Sequence, residues 1–219
     1  MKYCLIYIID KLWPIFVAVI LTQFVTQKFI EMRKPRLKMV PEGMQLRSLK
    51  RWALDGSKLP DLPYHMWRIK VQHVKIPRVL AWLIRSREAA LQCKAHLTFY
   101  TADDQALFTI QGRWAHTPEP SLISSVYQQE KIIYPDTISI AYHLCEPLDC
   151  IVKFDDDMVA FAWNNEAYAA PDNKNPKYKL GIGTYKAEVR LSGQNFRQIT
   201  TNFNIVISRD WQGTTLTLV

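Results

Sequence analysis

The decapeptide Leu91–Tyr100, LQCKAHLTFY, alternates strictly, with Leu91, Cys93, Ala95, Leu97 and Phe99 on one face and Gln92, Lys94, His96 and Thr98 on the other. A period of two is the pattern of a strand with one face on a core and the other toward water. The same period recurs on both sides of it. Upstream, Trp67, Ile69 and Val71 alternate before the apolar phase slips to Val74 and Ile76, which predicts a bulge near Gln72 and His73. Between these segments Arg78–Ala90, RVLAWLIRSREAA, reads as a short helix or an apolar loop. Downstream, strands are expected at Leu107–Ile110, Thr137–Cys145, Cys150–Phe154, Met158–Trp163, Tyr185–Leu191, Asn202–Ser208 and Thr214–Val219. Short strands with turn signals and no long helical pattern between them predict a mainly β chain, an antiparallel sandwich over residues 64–219.

Toward the N-terminus the pattern changes completely. Leu12–Ile30, LWPIFVAVILTQFVTQKFI, is apolar over a length of about 28 Å as a helix, close to the ~30 Å hydrocarbon core of a bilayer. Starting a transmembrane helix at Leu12 keeps Asp10 and Lys11 out of the bilayer centre, where each costs about 2.5 to 3.5 kcal/mol. In that register Pro14 falls in the first turn, Trp13 lies at headgroup level and Lys28 reaches outward, so these three are the expected anchor residues. No small-residue cleavage site follows the run, which favours an anchor over a cleaved signal peptide. The expected organisation is a tail and transmembrane helix over 1–30, a basic juxtamembrane neck over 31–63, and the β-domain over 64–219. Within the neck, prolines 35, 41, 60 and 63 interrupt the chain, Arg36–Val40 suits a first strand, and Met44–Leu54 carries Leu46, Leu49 and Ala53 at helical spacing. That last segment reads either as a basic amphipathic helix on the membrane surface or as a short helix packed on the domain.

Charge is unevenly distributed. Residues 1–60 hold 11 Lys and Arg against four Asp and Glu, whereas residues 61–219 hold 17 against 16. The excess lies beside the apolar helix, where Arg33, Lys34, Arg36 and Lys38 are expected to meet anionic lipid headgroups at about 1 kcal/mol each, the alternative being a solvated charge run. Membrane lipid is therefore the partner expected for this charge, and nucleic acid is disfavoured by a nearly neutral domain. The positive-inside rule puts the richer flank, and with it the domain, on the cytoplasmic side of the cell membrane. Three cysteines in the domain, an odd number, do not form a disulfide framework of the secreted kind.

Chemistry-bearing motifs are sparse. His143 and Cys145, two apart on a strand, share a face, and the intervening Glu146–Asp149 turn brings Cys150 alongside, giving three candidate metal ligands where a structural zinc takes four. A Cys145–Cys150 disulfide and ordinary buried thiols are the alternatives. Asp155–Asp157 is a compact anionic loop, a candidate calcium site or a solvated turn. No nucleophile-elbow, zincin or P-loop motif occurs, so no catalytic residue, cofactor or small-molecule substrate is expected. Arg113 and Trp114, followed by Thr117-Pro-Glu-Pro120, suggest a contact for a protein partner, the alternative being that Trp114 packs in the core.

Two resemblances extend this reading. Gly183-Thr-Tyr-Lys-Ala-Glu-Val-Arg-Leu, a loop, and Phe203-Asn-Ile-Val-Ile resemble the closing hairpin of immunoglobulin-like domains. The set WRIKV, AALQCKAHLTFY, GRWAHTPEP, NNEAY and NPKYKLGIGTYKAEV, spanning Tyr64–Ile207, is similar to a group of uncharacterised prokaryotic single-span membrane proteins with a sandwich-like domain. That resemblance implies an Ig-like fold and an anchor, and carries no activity or catalytic residues. The expected function is a membrane-anchored interaction or structural module; an accessory subunit of a membrane complex, joined through Gln23, Thr26 and Gln27, and a metal-binding module or metal-dependent enzyme are the alternatives.

Overall fold

The computed structural model describes residues 2–52, 56–117 and 137–219. A single α-helix, α1 (Lys2–Arg33), precedes twelve strands among the described residues: β1 (Leu37–Trp52), β2 (Lys58–His73), β3 (Ala90–Thr101), β4 (Ala106–Gln111), β5 (Arg113–Trp114), β6 (Ile138–Ile140), β7 (Cys145–Phe154), β8 (Ala160–Ala162), β9 (Lys179–Leu180), β10 (Gly183–Ser192), β11 (Ile199–Ile207) and β12 (Thr215–Leu218). They form two antiparallel sheets. One runs β1-β2-β7-β8-β9, with β5 paired to β7 on the β8 side; the other runs β12-β11-β10-β3-β4, with β6 paired to β3 on the β4 side.

The sheets pack face to face through their apolar positions. Trp67, Ile69, Val71 and Ile151 from the first sheet meet Leu97, Phe99, Val189, Phe203 and Ile205 from the second in one buried cluster. β2 is apolar on both faces: its even positions Leu62, Tyr64 and Met66 join Val152, Phe154, Phe161 and Trp163 in a second cluster on the outer face of the first sheet. A short 3₁₀ segment at Asn165–Ala169 accompanies it, with Ala167 buried in that cluster and Tyr168 packed against it, whereas Tyr178 of the 3₁₀ segment Pro176–Tyr178 is buried in the main core.

Several local expectations are overturned. Met44–Leu54 is not a helix: its described residues to Trp52 belong to β1, which pairs antiparallel with β2 from Leu37↔His73 to Trp52↔Lys58. The helical spacing of Leu46 and Leu49 is outweighed by a long ladder of backbone hydrogen bonds, and Leu46 is left exposed. Most of the segment set aside as a neck, including Pro41, Pro60 and Pro63, is therefore part of the first sheet, and β1 tolerates Pro41 because it is an edge strand. The slip after Val71 is not a bulge, since β2 ends at His73; the irregularities lie at Glu42/Gln45, at Leu49/Arg51, and opposite Cys150 between Trp67 and Arg68. Thr137–Cys145 is not one strand either. β6 stops at Ile140, Ala141–Leu144 turns, and β7 starts at Cys145 and runs straight through Pro147, whose carbonyl accepts from Ala115 N–H at 2.9 Å. In β3 a positive φ of 50° at Gln92 breaks the alternation, so Ala90 is buried and Leu91 is turned out. Pro14 lies in the interior of α1 rather than its first turn, because the helix begins at Lys2.

The chain changes sheets at Gly112, between β4 and β5. Its N–H donates to Ala95 O at 2.8 Å, and a Cβ built there would lie 2.9 Å from Ala95 Cβ, Leu97 Cδ1 and Leu148 Cδ1. Gly112→Val is expected to destabilise the protein by about 1–3 kcal/mol through overpacking. Gly43→Val, where a Cβ would meet nothing within 4 Å, stays within about 0.5 kcal/mol of the parent. Urea unfolding of the full chain in mild detergent reads both.

Candidate functional site

The residues with the clearest functional character lie where α1 meets the sheets. From Trp13 to Arg33 the helix is 21 residues long, apolar enough to cross a membrane, and not buried against the other described residues. Trp13, Ile15, Phe16, Val19, Ile20, Leu21, Phe24 and Val25 are all exposed and occupy every side of it. Some of its polar side chains have local partners: Thr22 Oγ1 donates to Ala18 O at 2.8 Å, Lys28 Nζ lies 3.2 Å from Glu31 Oε2 and 5.7 Å from the Phe24 ring centre, and the Arg33 guanidinium lies 6.0 Å from that of Phe29.

Only Lys34, Pro35 and Arg36 separate α1 from β1. The last helical carbonyls, which lack partners within a helix, are taken up by the β2–β3 connection. Arg87 Nη1 donates to Met32 O at 2.7 Å and Lys34 O at 3.3 Å, and Glu88 N–H donates to Arg33 O at 2.8 Å. Burial first, and repulsion from Arg36 second, pull the Arg87 pKa below its ordinary value, against an opposing effect of Tyr142; a guanidinium starting so high stays charged at neutral pH. Arg33, Lys34, Arg36 and Lys38, the expected headgroup residues, are all exposed, the last two on the face of the chain opposite buried Leu37 and Met39. Sequence reading missed Arg87, and it missed that exposed Lys75, Arg78, Arg85 and Arg197 come to the same end of the sheets from two different connections.

Arg113 and Trp114 do not form an exposed contact. Trp114 is 1% exposed within the main core and Arg113 is 2% exposed. The reason is a rung across β2, β7 and β5: Arg68 Nε donates to Asp149 Oδ1 at 2.7 Å, and Arg113 Nη1 donates to Asp149 Oδ2 at 2.6 Å. Arg113 Nη2 also donates to Thr117 O at 2.7 Å, and its guanidinium lies 5.2 Å from the Tyr168 ring centre. Pro118 and Pro120, the other part of that expectation, lie outside the described residues.

The metal constellation is not assembled. β7 is continuous, so Cys145 and Cys150 stand five positions apart along a strand, about 16 Å, rather than side by side. Cys145 is exposed, Cys150 is buried, and His143 is exposed on the preceding turn with its ring edge-on to Tyr142. That separation also rules out a Cys145–Cys150 disulfide. Burial raises the Cys150 thiol pKa far above its ordinary value and that of Cys93 to about 11, so neither is a ready thiolate. Among the described residues no group of three His, Cys, Asp or Glu could hold a metal ion. At Asp155–Asp157 a lysine stands where a cation would, with Lys174 Nζ at 2.7 Å from both Asp156 Oδ1 and Asp157 Oδ2. Beside it, at the end of the sheets far from α1, an open cleft of about 740 Å³ is lined by Lys153, Asp155, Asp157, Arg209, Asp210 and Trp211. Its charges are of both signs, and His65 stacks on Trp211 while bonding Asp155 Oδ1 at 2.9 Å.

Asp149→Asn leaves two buried guanidiniums without a counter-charge, and is expected to lower the unfolding free energy by about 3–5 kcal/mol in urea titrations. A pH effect comes from His73, buried at the α1 end with Nε2 3.0 Å from Ile140 O. Burial, Arg87 and His143 lower its pKa below the ordinary 6.5, against the raising effect of the Ile140 hydrogen bond. Its neutral form is thus favoured by folding, so this stability is complete above pH about 6.5 and is lost as pH falls toward the folded value. Between pH 7 and 5 the wild type should lose stability more steeply than His73→Gln, as read by thermal unfolding across that range.

No protein-family model, curated protein or solved structure matches the chain.

Proposed function

We propose that this is a single-span membrane protein which presents an Ig-like β-sandwich at the bilayer surface as an interaction or structural module. The observation that carries the reading is α1: a helix apolar on every side and not buried among the described residues is stable in lipid and a liability in water. The exposed basic residues immediately after it supply the charge that anionic headgroups attract. Two antiparallel sheets around one core, closed by the β10–β11 hairpin, support the Ig-like assignment; kinship with prokaryotic anchored proteins of that kind rests on the sequence resemblance over Tyr64–Ile207 alone. The excess of Lys and Arg after the span orients the sandwich toward the cytoplasm.

A second reading, an accessory subunit of a membrane complex, is favoured by Gln23, Thr26 and Gln27, which are exposed on α1. Amide groups facing lipid gain from a second helix that hydrogen-bonds them. Co-purification of another membrane protein in mild detergent, lost on Gln23→Leu with Gln27→Leu, distinguishes this role from that of a lone anchor.

The membrane reading is tested in cells. The full chain should stay in the pellet through alkaline carbonate extraction, and release into the supernatant would overturn the span. In a Cys4→Ser background, Cys145, the exposed thiol among the described cysteines, should react with a membrane-impermeant maleimide only after permeabilisation. Reaction in intact cells would reverse the orientation.

A further inference from the structure

The connection from β2 to β3 leaves the sheets at the same end at which α1 enters them. Val74 N–H donates to Arg36 O at 2.7 Å, and Glu88 N–H to Arg33 O at 2.8 Å, so both ends of the connection are tied to the helix–sheet join. Inside it, Val79 is 76% exposed and Trp82 80% exposed, with Leu83 and Val74 also in solvent. Trp82 and Val79 are the most exposed large apolar side chains among the described residues, exceeding even those on α1. From Val74 to Arg87 there is no Asp or Glu, while Lys75, Arg78 and Arg85 are exposed around the apolar tip.

Part of the loop's backbone is also satisfied within the loop, which lowers the cost of approaching an apolar boundary. A 3₁₀ turn at Arg78–Leu80 and the turn after it form internal hydrogen bonds: Leu80 N–H to Pro77 O, Ala81 N–H to Arg78 O, and the N–H groups of Leu83 and Ile84 to Leu80 O, at 2.9–3.2 Å. Unsatisfied backbone groups are what keep ordinary loops out of lipid. Ile84, 3% exposed, pins the inner side of the loop, and Ile76 N–H donates to Tyr142 Oη at 3.2 Å. The tip is thus held out by a fixed base.

We propose that Val74–Arg85 is a second membrane contact, with Val79, Trp82 and Leu83 seated at the headgroup–acyl boundary of the leaflet in which α1 ends, and Lys75, Arg78 and Arg85 on anionic lipid phosphates. The inference rests on the reading of α1 as a span. Continuity decides the occupant: a loop bonded to the last turn of the anchor lies at the bilayer surface whenever the anchor is inserted. A tryptophan flanked by aliphatic and basic residues is the chemistry that favours that depth. With α1 and the loop both engaged, the sandwich stands on two points and holds one tilt relative to the membrane.

The test uses the full chain in phosphatidylcholine–phosphatidylglycerol vesicles whose lipids carry a doxyl quencher either near the headgroup or deep in the chain. Subtracting the emission of Trp82→Phe from that of the wild type isolates Trp82, and subtracting Trp13→Phe isolates a reporter of α1. Residue 82 is exposed, so the replacement does not disturb the core. The expected result is quenching of the Trp13 component together with loss of Trp82 emission that is larger for the shallow quencher than for the deep one. Quenching of Trp13 without Trp82 would overturn the loop contact and leave the span intact. If neither component is quenched, the span itself fails and the loop proposal falls with it. Trp82 emission shielded from both lipid quencher and aqueous iodide would mean that a protein surface covers the loop, which also overturns the proposal.

Discussion

Lys34, Pro35 and Arg36 span at most about 10 Å of chain, and this short join has no slack, because Arg87 and Glu88 hold the preceding helical carbonyls to the β2–β3 connection. The placement of every other element relative to α1 follows from that constraint. Since β1 starts at the join and pairs with β2 in antiparallel register, β2 must end there. β3 must start nearby and β7 must begin beside Gln72. The connections 74–89, 141–144 and 193–198 are therefore collected at one end, and the Asp155–Asp157 turn and the cleft beside it at the other.

This sorting by end gives the net charge a direction. The exposed cations from Arg33 to Lys38 were visible as a cluster in the chain, but Lys75, Arg78, Arg85 and Arg197 join them only because antiparallel pairing returns the chain to its starting level. At the opposite end the carboxylates are held by the chain's own cations, Lys174 above all, so the two ends differ in how much free charge each offers. A bilayer met through α1 would face the basic end, which is the favourable polarity for anionic lipid.

Inside the first sheet, one carboxylate shared by two arginines does what apolar packing alone does not. Asp149 links β2 to the two-residue β5, the strand by which the chain crosses from the second sheet after Gly112. Breaking such a buried pair is costly even where making it gains little. The rung thus acts as a latch on the crossover, and explains why Arg113 and Trp114 are buried together: they are adjacent residues of β5, one facing the core between the sheets and the other the ion pair on the outer face.

The residues themselves determined the period-two segments, the apolar helix and the basic flank, because each is written in the spacing of neighbouring side chains and needs no distant partner. β3, β4, β10, β11 and β12 lie where alternation puts them, to within a few residues. Where a segment's state depends on what it pairs with, local spacing misled. Met44–Trp52 has a helix's apolar spacing and forms a strand because β2 offers it an unbroken ladder. Cys145 and Cys150 look like neighbours across a turn, yet Pro147 is accommodated in a continuous β7 whose carbonyl there bonds Ala115. Arg113 looks like a surface anchor until Arg68 and Asp149, 45 residues back and 36 ahead, meet it. The tertiary structure alone decided those pairings, and it alone brought Trp82 and its basic neighbours to the foot of α1, because hydrogen bonds between strands join residues that no window of sequence contains.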